Sequence, residues 1–293
     1  SKVTATAGVH KVMMSLTGYT SWQKNVAVKP GGVLWLNYAL LLPVKPQTSE
    51  VTNIPSLTSA VPSPDRRWVA LTASPSDPTV LVVDTNAAAA TVTKIPLWPD
   101  SYTAAPEGAA QSFSVMSWDH DSRHIIVKHI YGDHTEYLAV DTRGRRTVRN
   151  ITTMLGVSAS KVLYSYGDVN LVDVLTDTHE VRRGNLSERT LSGPLLTNVA
   201  DVAQYDRSTL TYDTYPDTSG KRQIGYLTLG SAKPRVVRTA AADMNHTLKL
   251  RLGRYYNTNY MTVADGDTVQ IYTGDLPTSD SSVALNWRQV AQF

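Results

Sequence analysis

Short runs of apolar or alternating residues, each bounded by Gly, Pro, Asp or Ser, recur along almost the whole chain. Such runs are typical of β-strands that are half buried, or buried between two layers. No helical period is sustained over about ten residues, and the run Ala87–Ala90 is too short to form a helix alone. The pattern therefore predicts an all-β protein, either a β-sandwich or a β-propeller.

A repeat begins near residue 59. Ser63–Leu71 (SPDRRWVAL) recurs as Ser117–Val127 (SWDHDSRHIIV), and both contain a turn with Asp, an Arg and an apolar strand. A strand that ends in Asp-Thr follows each of them, at Val80–Thr85 and at Tyr137–Thr142. Ser63 and Ser117 are 54 positions apart, whereas Thr85 and Thr142 are 57 apart. Weaker copies are expected at 161–183, 199–239 and 248–293.

This repeat resembles the blades of TolB-like and WD40-like β-propellers, in which four strands run outward from the axis. The resemblance implies that residues 59–293 form a propeller of about five four-stranded blades. A closed five-bladed ring and an incomplete ring, as an open fragment of a larger one, both fit the pattern. Val283–Phe293 is either the last strand of the fifth copy or the first strand of another.

The N-terminal residues follow a different pattern, with strands and turns at Gly8–Val12, Leu16–Tyr19, Val26–Gly32 and Leu34–Leu40. This pattern resembles the later part of the PEGA domain, a small β-sandwich of bacterial surface proteins, without the Pro-Glu-Gly-Ala segment. The resemblance implies an N-terminally truncated sandwich at residues 1–46. The stretch Pro43–Ser49 is rich in Pro and polar residues, and residues 47–58 are expected to form a linker.

Composition removes several classes of protein. The chain has 293 residues and no Cys, which excludes disulfide scaffolds, thiolate metal sites and a Cys nucleophile. No apolar run reaches the roughly 18 residues of a membrane span. Residues 1–46 carry five Lys and no acid, within a net charge of +3. These lysines are scattered and the basic turn at Arg143–Arg146 is short, so no nucleic-acid partner is predicted.

No catalytic motif is present, neither a Gly-x-Ser-x-Gly elbow nor a phosphate loop nor a sialidase Asp box. We therefore expect a non-enzymatic protein, with an axial channel lined by small or apolar side chains. The alternative is a propeller hydrolase acting on glycans, with carboxylates that converge in a central pocket. No metal site or cofactor is predicted, because His124 and His129 differ in parity along one strand, and His120 and His134 lie in turns at opposite ends.

Binding is the better supported role. One face of a propeller carries the loops between the second and third strands of each blade, together with the connections between blades. Exposed aromatic side chains beside Asp in such loops can bind a partner. The expected partner is a protein or a cell-envelope polysaccharide. The structural alternative to binding is that these Asp residues form Asx turns and that the aromatic side chains cap blades. The candidate binding residues are Trp98, Asp100, Tyr102, Tyr131, Asp133, His134, Tyr215 and Asp217.

The PEGA resemblance also has implications for location. It implies a bacterial, extracytoplasmic protein at the cell surface or in the envelope. It further implies contact with the membrane through an anchor that lies upstream of Ser1 and outside this chain. The oligomeric state does not follow from these patterns.

Overall fold

The computed structural model describes residues 3–36, 39–48, 50, 52–87, 91–143, 147–231, 233–241, 247–255, 258–275 and 286–293. Parts of five predicted features lie outside them: the alanine run at 88–90, the basic turn at 144–146, the N-terminal strand at 37–38, the linker at 49 and 51, and the final strand at 283–285. The chain consists of two compact units, Ser1–Asn53 and Ile54–Phe293. The predicted domain limits at residues 46 and 58 stay predictions.

The first unit contains two two-stranded antiparallel sheets in its described residues. The strands are β1 (Gly8–Met14), β2 (Tyr19–Thr20), β3 (Trp22–Val28) and β4 (Leu42–Pro43), with β1 paired to β3 and β2 to β4. The strand predicted at Leu34–Leu40 is wrong for its described residues, 34–36 and 39–40, which lie outside any strand. Val33, Leu34 and Trp35 are all exposed, so no buried face selects a register for this run.

The second unit contains five four-stranded antiparallel sheets in its described residues, each with its strands in chain order. We number them sheet 1 to sheet 5 along the chain. Sheet 1 has β5 (Ser59–Pro62), β6 (Trp68–Thr72), β7 (Thr79–Asp84) and β8 (Thr91–Pro96). Sheet 2 has β9 (Gln111–Trp118), β10 (His124–Tyr131), β11 (His134–Asp141) and β12 (Val148–Asn150). A short helix, α1 (Ile151–Leu155), follows. Sheet 3 has β13 (Ala159–Tyr164), β14 (Leu171–Thr176), β15 (Val181–Asn185) and β16 (Thr190–Leu191).

Sheets 4 and 5 complete the series. Sheet 4 has β17 (Val199–Gln204), β18 (Thr209–Thr214), β19 (Lys221–Thr228) and β20 (Arg235–Ala241). Sheet 5 has β21 (Leu248–Tyr255), β22 (Thr258–Asp265), β23 (Thr268–Gly274) and β24 (Arg288–Gln292). Of the two interpretations of the C-terminal run, its described part is therefore the last strand of sheet 5, paired with β23.

Consecutive sheets pack face to face. In the described chain, each of four buried hydrophobic clusters joins two neighbouring sheets, from sheets 1 and 2 to sheets 4 and 5. Strand alternation explains the packing, because Ile125 and Val127 belong to the cluster shared with sheet 1 and Ile126 to the one shared with sheet 3. The all-β class is confirmed, and stacked four-stranded sheets are the arrangement of propeller blades. The PEGA sandwich and the number of blades in a ring stay predictions.

The repeat seen in the sequence has a matching hydrogen-bond pattern in sheets 1 and 2. Arg67 binds Asp84 at 2.8 Å between Nη2 and Oδ2, and Arg123 binds Asp141 in the same way at 2.8 Å. The threonine after each of these aspartates donates its hydroxyl to the carbonyl of the same arginine. Each ion pair therefore ties the end of the third strand to the start of the second.

Candidate binding face

Antiparallel strands reverse direction at each turn. The loops between the second and third strands of each sheet therefore lie at the same end of the sheets as the connections from one sheet to the next. We call this end the loop face; it includes residues 97–110, 131–134, 177–180 and 215–220. All eight candidate residues lie on it. Trp98, Asp100 and Tyr102 follow β8, and the other five border the second-to-third-strand loops of sheets 2 and 4.

A row of rings runs from the core between sheets 1 and 2 to the loop face. The Phe113 and His129 rings stack with centroids 4.2 Å apart, and the Tyr102 ring meets both edge-on at 5.2 and 5.1 Å. Tyr131 lies 5.1 Å from His129 and 5.2 Å from His134. His129 is fully buried, whereas His134 is exposed. Three of the predicted residues, Tyr102, Tyr131 and His134, are thus brought into one aromatic row.

Glu136 fixes the connection after β8 to sheet 2. Its carboxylate accepts hydrogen bonds from the backbone N–H of Thr103 at 2.8 Å, from the Thr103 hydroxyl at 2.9 Å and from Asn150 Nδ2 at 2.7 Å. His129 Nδ1 lies 2.8 Å from Glu136 Oε1. Burial raises the pKa of Glu136, but the hydrogen bonds from His129, Asn150 and Thr103 outweigh it and hold the pKa below its usual value.

Trp98 is held out from the surface by a tight turn. Its carbonyl accepts hydrogen bonds from the Ser101 backbone N–H at 2.8 Å and from the Ser101 hydroxyl at 2.6 Å. Leu97 on one side is buried in the cluster of sheets 1 and 2, and Tyr102 on the other side packs against Phe113. The Trp98 side chain is nevertheless 59% exposed, so it does not serve as a buried cap of a blade.

A pocket of about 300 Å³ lies next to the aromatic row, between sheets 2 and 3. Asp133 and His134 line it from sheet 2, and Asp177 lines it from the second-to-third-strand loop of sheet 3. Hydroxyl groups and one cation complete the polar lining, namely Lys128, Thr135, Ser158 and Ser160. The pocket can therefore offer both hydrogen-bond donors and acceptors to a polar ligand.

The two predicted residues of sheet 4 form a separate group. The Tyr215 ring packs against His179 of sheet 3 with centroids 4.3 Å apart and stays 42% exposed. Asp217 accepts hydrogen bonds from Lys221 and Ser219, which lower its pKa and make it a turn former, as the structural alternative predicts. No ring contact in the described chain joins Tyr215 to the aromatic row.

Sequence reasoning missed His129, Glu136 and His179 as parts of this face. Strand parity could have identified His129, because it shares a face with Val127 and so points into the core between sheets 1 and 2. The partners of Glu136 come from connections that are 33 and 14 positions away, and no local pattern signals them.

Two further histidines of the second unit, His120 and His124, lie at the opposite end. His124 Nδ1 is 2.6 Å from Asp119 Oδ2, inside the turn before β10, and the His120 ring packs on Tyr166 at 3.7 Å. Burial raises the pKa of Asp119, but the hydrogen bonds from His124 and from the Arg123 backbone outweigh it and lower the pKa. No group of three or more His, Asp or Glu suited to a metal ion occurs in the part of the chain that is described.

Charged side chains connect the first strands of sheets 3, 4 and 5. Lys161 Nζ lies 2.6 Å from Asp201 Oδ1, and Arg251 Nη2 lies 3.4 Å from Asp201 Oδ2. Asp213 stands opposite Asp201 in the register of β17 and β18, and burial together with the Asp201 charge raises the pKa of Asp213. The first strands of sheets 3 to 5 therefore carry charged side chains, and the axial channel stays a prediction.

Solved structures resemble this chain in fold. TolB from Acinetobacter baumannii matches with a TM-score of 0.44 at 13% identity, over 72% of this chain and 52% of TolB. The Cps50 (Swd1) beta-propeller domain from Myceliophteria thermophila matches with a TM-score of 0.45 at 9% identity, over 81% of this chain and 72% of that domain. A protein of unknown function from Desulfotomaculum acetoxidans DSM 771 matches with a TM-score of 0.51 at 12% identity, over 83% of this chain and 71% of that protein.

By their names, two of these structures are a TolB protein and a beta-propeller domain. The chain spans about half the length of TolB. At such low identity the likeness concerns the fold alone. No protein-family model matches the chain and no curated protein matches its sequence, so the PEGA resemblance stays a prediction. None of the helices in the described residues has the length and apolar character needed to cross a membrane.

Proposed function

We propose that this chain is a non-enzymatic binding protein that recognises a protein partner through the loop face of its propeller. The proposal includes a location at the bacterial cell surface or in the envelope, with an anchor outside this chain, as the PEGA resemblance implies. Fold alone does not determine function in propellers, so the support has to come from the site itself.

One observation carries the proposal, the exposed Trp98 on a connection that is rigidly fixed beside the aromatic row. Tryptophan and tyrosine supply large contact areas at a low cost in side-chain entropy, and they dominate the energetics of protein interfaces. The buried Glu136 hydrogen bonds to Thr103 hold the Trp98 connection in place before any partner arrives. Preorganisation of this kind lowers the entropy cost of binding.

Photo-crosslinking in the native cells tests the proposal. The substitutions Trp98→benzoylphenylalanine and Tyr131→benzoylphenylalanine should each crosslink one and the same protein. His120→benzoylphenylalanine, at the opposite end, is the matched control and should not crosslink it. With that partner purified, Trp98→Ala should weaken binding about 30-fold, as expected for an interface anchor. Equal crosslinking at position 120, or unchanged affinity of Trp98→Ala, would contradict the proposal.

A polysaccharide is the second candidate partner, and the pocket beside the aromatic row favours it. Asp133 and Asp177 offer carboxylate acceptors, Ser158 and Ser160 offer hydroxyls, and the Tyr131–His134 pair gives an apolar ring surface next to them. A glycan array probed with the full chain and with Asp133→Asn tests this candidate. A glycan that the full chain binds and Asp133→Asn binds at least about tenfold more weakly would support it.

The hydrolase alternative depends on the carboxylates Asp201 and Asp213. Their opposite positions in the register and the raised pKa of Asp213 are features of acid–base pairs. Asp201, however, is already engaged by Lys161 and Arg251. Release of reducing sugar from envelope polysaccharide by the full chain, abolished in Asp213→Asn, would favour the hydrolase over the binding protein.

A further inference from the structure

The first unit exposes apolar side chains that its own strands do not cover. Among its described residues only Val26 is buried, at 7% exposure, whereas Trp35 is 77% exposed and Val9 75%. A two-stranded sheet without a packed face is only marginally stable in water. Extensive exposed apolar surface usually marks a site of interaction.

One part of this surface is a face of the β1–β3 sheet. Val9 and Met13 are exposed and lie on the same face of β1, since they are four positions apart in a strand. Ala27 stands opposite Val9 in the register and is exposed as well. Lys11 lies between Val9 and Met13 on that face, and the polar residues Asn25 and Gln23 stand opposite Lys11 and Met13. The face therefore combines apolar, cationic and neutral polar side chains.

A second part surrounds the β2–β4 pair. Tyr19 and Leu42 are exposed on these two strands. The Tyr19 N–H donates to the Leu16 carbonyl at 3.0 Å, and the Val44 N–H donates to the Gly18 carbonyl at 2.8 Å. Leu16 and Val44, next to these strands, are exposed as well. The register pairs Tyr19 with Pro43 and Thr20 with Leu42, so Tyr19 and Leu42 lie on opposite faces of the pair.

The third part is the run Val33, Leu34 and Trp35, which follows the turn at Gly31 outside any strand. These three consecutive apolar residues do not alternate with polar ones, as a strand with one buried face would. Tryptophan beside aliphatic residues is typical of segments that sit at the water–lipid boundary.

Charge decides which occupant fits this surface. Residues 1–46 contain five Lys and no Asp or Glu. A second copy would bring two cationic surfaces together and is disfavoured by repulsion. An anionic lipid surface supplies negative charge and an apolar layer together. We propose that the exposed apolar side chains of this cationic unit, with Val9, Met13 and Trp35 as the main contacts, bind anionic membranes in the plane of the interface.

Vesicle sedimentation of the full chain tests this inference. The chain should bind vesicles of phosphatidylcholine mixed with phosphatidylglycerol, bind much more weakly to phosphatidylcholine alone, and dissociate at high salt. Lys11→Gln combined with Lys29→Gln should lower the partition coefficient roughly 25-fold, at about fivefold for each lysine. Trp35→Ser should lower it about tenfold.

Matched controls come from exposed positions of the second unit. Lys94→Gln and Val236→Ser should leave vesicle binding unchanged. Light scattering of the full chain without lipid shows whether a second copy occupies the surface instead. Absence of sedimentation, equal binding to both kinds of vesicle, or an effect of Lys94→Gln as large as that of one N-terminal lysine would each overturn the inference. The inference would also be overturned if the chain bound no vesicles but associated with itself, or captured an acidic protein, in a way that requires Trp35.

Discussion

Glu136 is the residue on which the geometry of the loop face depends. The substitution Glu136→Gln removes the charge. One of the hydrogen-bond donors to Glu136, Thr103 or Asn150, would then face the NH₂ group of the glutamine instead of an acceptor. Hydrogen bonds to a buried charged group contribute about 1.5–3 kcal/mol, so we expect a loss of about 2 kcal/mol in the free energy of unfolding. Urea denaturation measures it. Glu107→Gln, an exposed glutamate with the same change in charge, is the control and should keep the wild-type midpoint.

The lowered pKa of Glu136 also makes a prediction for acid conditions. A carboxyl whose folded-state pKa is depressed stabilises the protein above its unfolded pKa, and this contribution is lost as the pH falls through the folded pKa. Between the usual value of 4.5 and the lower folded value, wild-type stability should therefore fall more steeply with decreasing pH than that of Glu136→Gln. Parallel pH profiles from chemical denaturation would contradict this assignment.

At the scale of elements, Gly225 in β19 shows why one strand requires glycine. A Cβ at this position would meet the Arg235 carbonyl of the neighbouring strand and the Tyr212 hydroxyl, next to a register shift between Ile224 and Gly225. Gly225→Ala should therefore destabilise the second unit by about 1–3 kcal/mol. Gly253→Ala in β21, where a Cβ meets nothing within 4 Å, is the matched control. Equal thermal midpoints of the two variants would refute the steric argument.

The elements also show how far local sequence signals reach. Alternation and turn residues predicted most strands of the second unit, because most of these strands place apolar side chains in a buried cluster. The two-residue strand Thr190–Leu191 and the helix Ile151–Leu155 were missed, since elements this short are stabilised by tertiary contacts rather than by propensity. The loops of the candidate face were predictable from topology, but the packing of Tyr102 on His129 was not, because it joins separate parts of the chain.

At the scale of the whole molecule, packing is distributed unevenly between the two units. Ile125, Val127, Leu138 and Val140 of sheet 2 are completely buried between neighbouring sheets, whereas the first unit buries only Val26 among its described residues. Backbone amides exchange with solvent at rates set by the free energy of local opening, which is smallest where few apolar contacts are made. The two units should therefore differ in hydrogen exchange although both consist of strands.

Hydrogen–deuterium exchange with mass spectrometry measures this difference. Peptides that cover Gly8–Met14 and Trp22–Val28 should exchange early, and peptides that cover His124–Tyr131 and His134–Asp141 should stay protected until the second unit opens globally. The glycine substitution Gly225→Ala should accelerate exchange in sheet 4 and leave the first unit unchanged. Protection of Gly8–Met14 as strong as that of His124–Tyr131 would mean that the first unit has a cooperative core of its own. In that case the first unit would be stable in spite of its exposed apolar side chains.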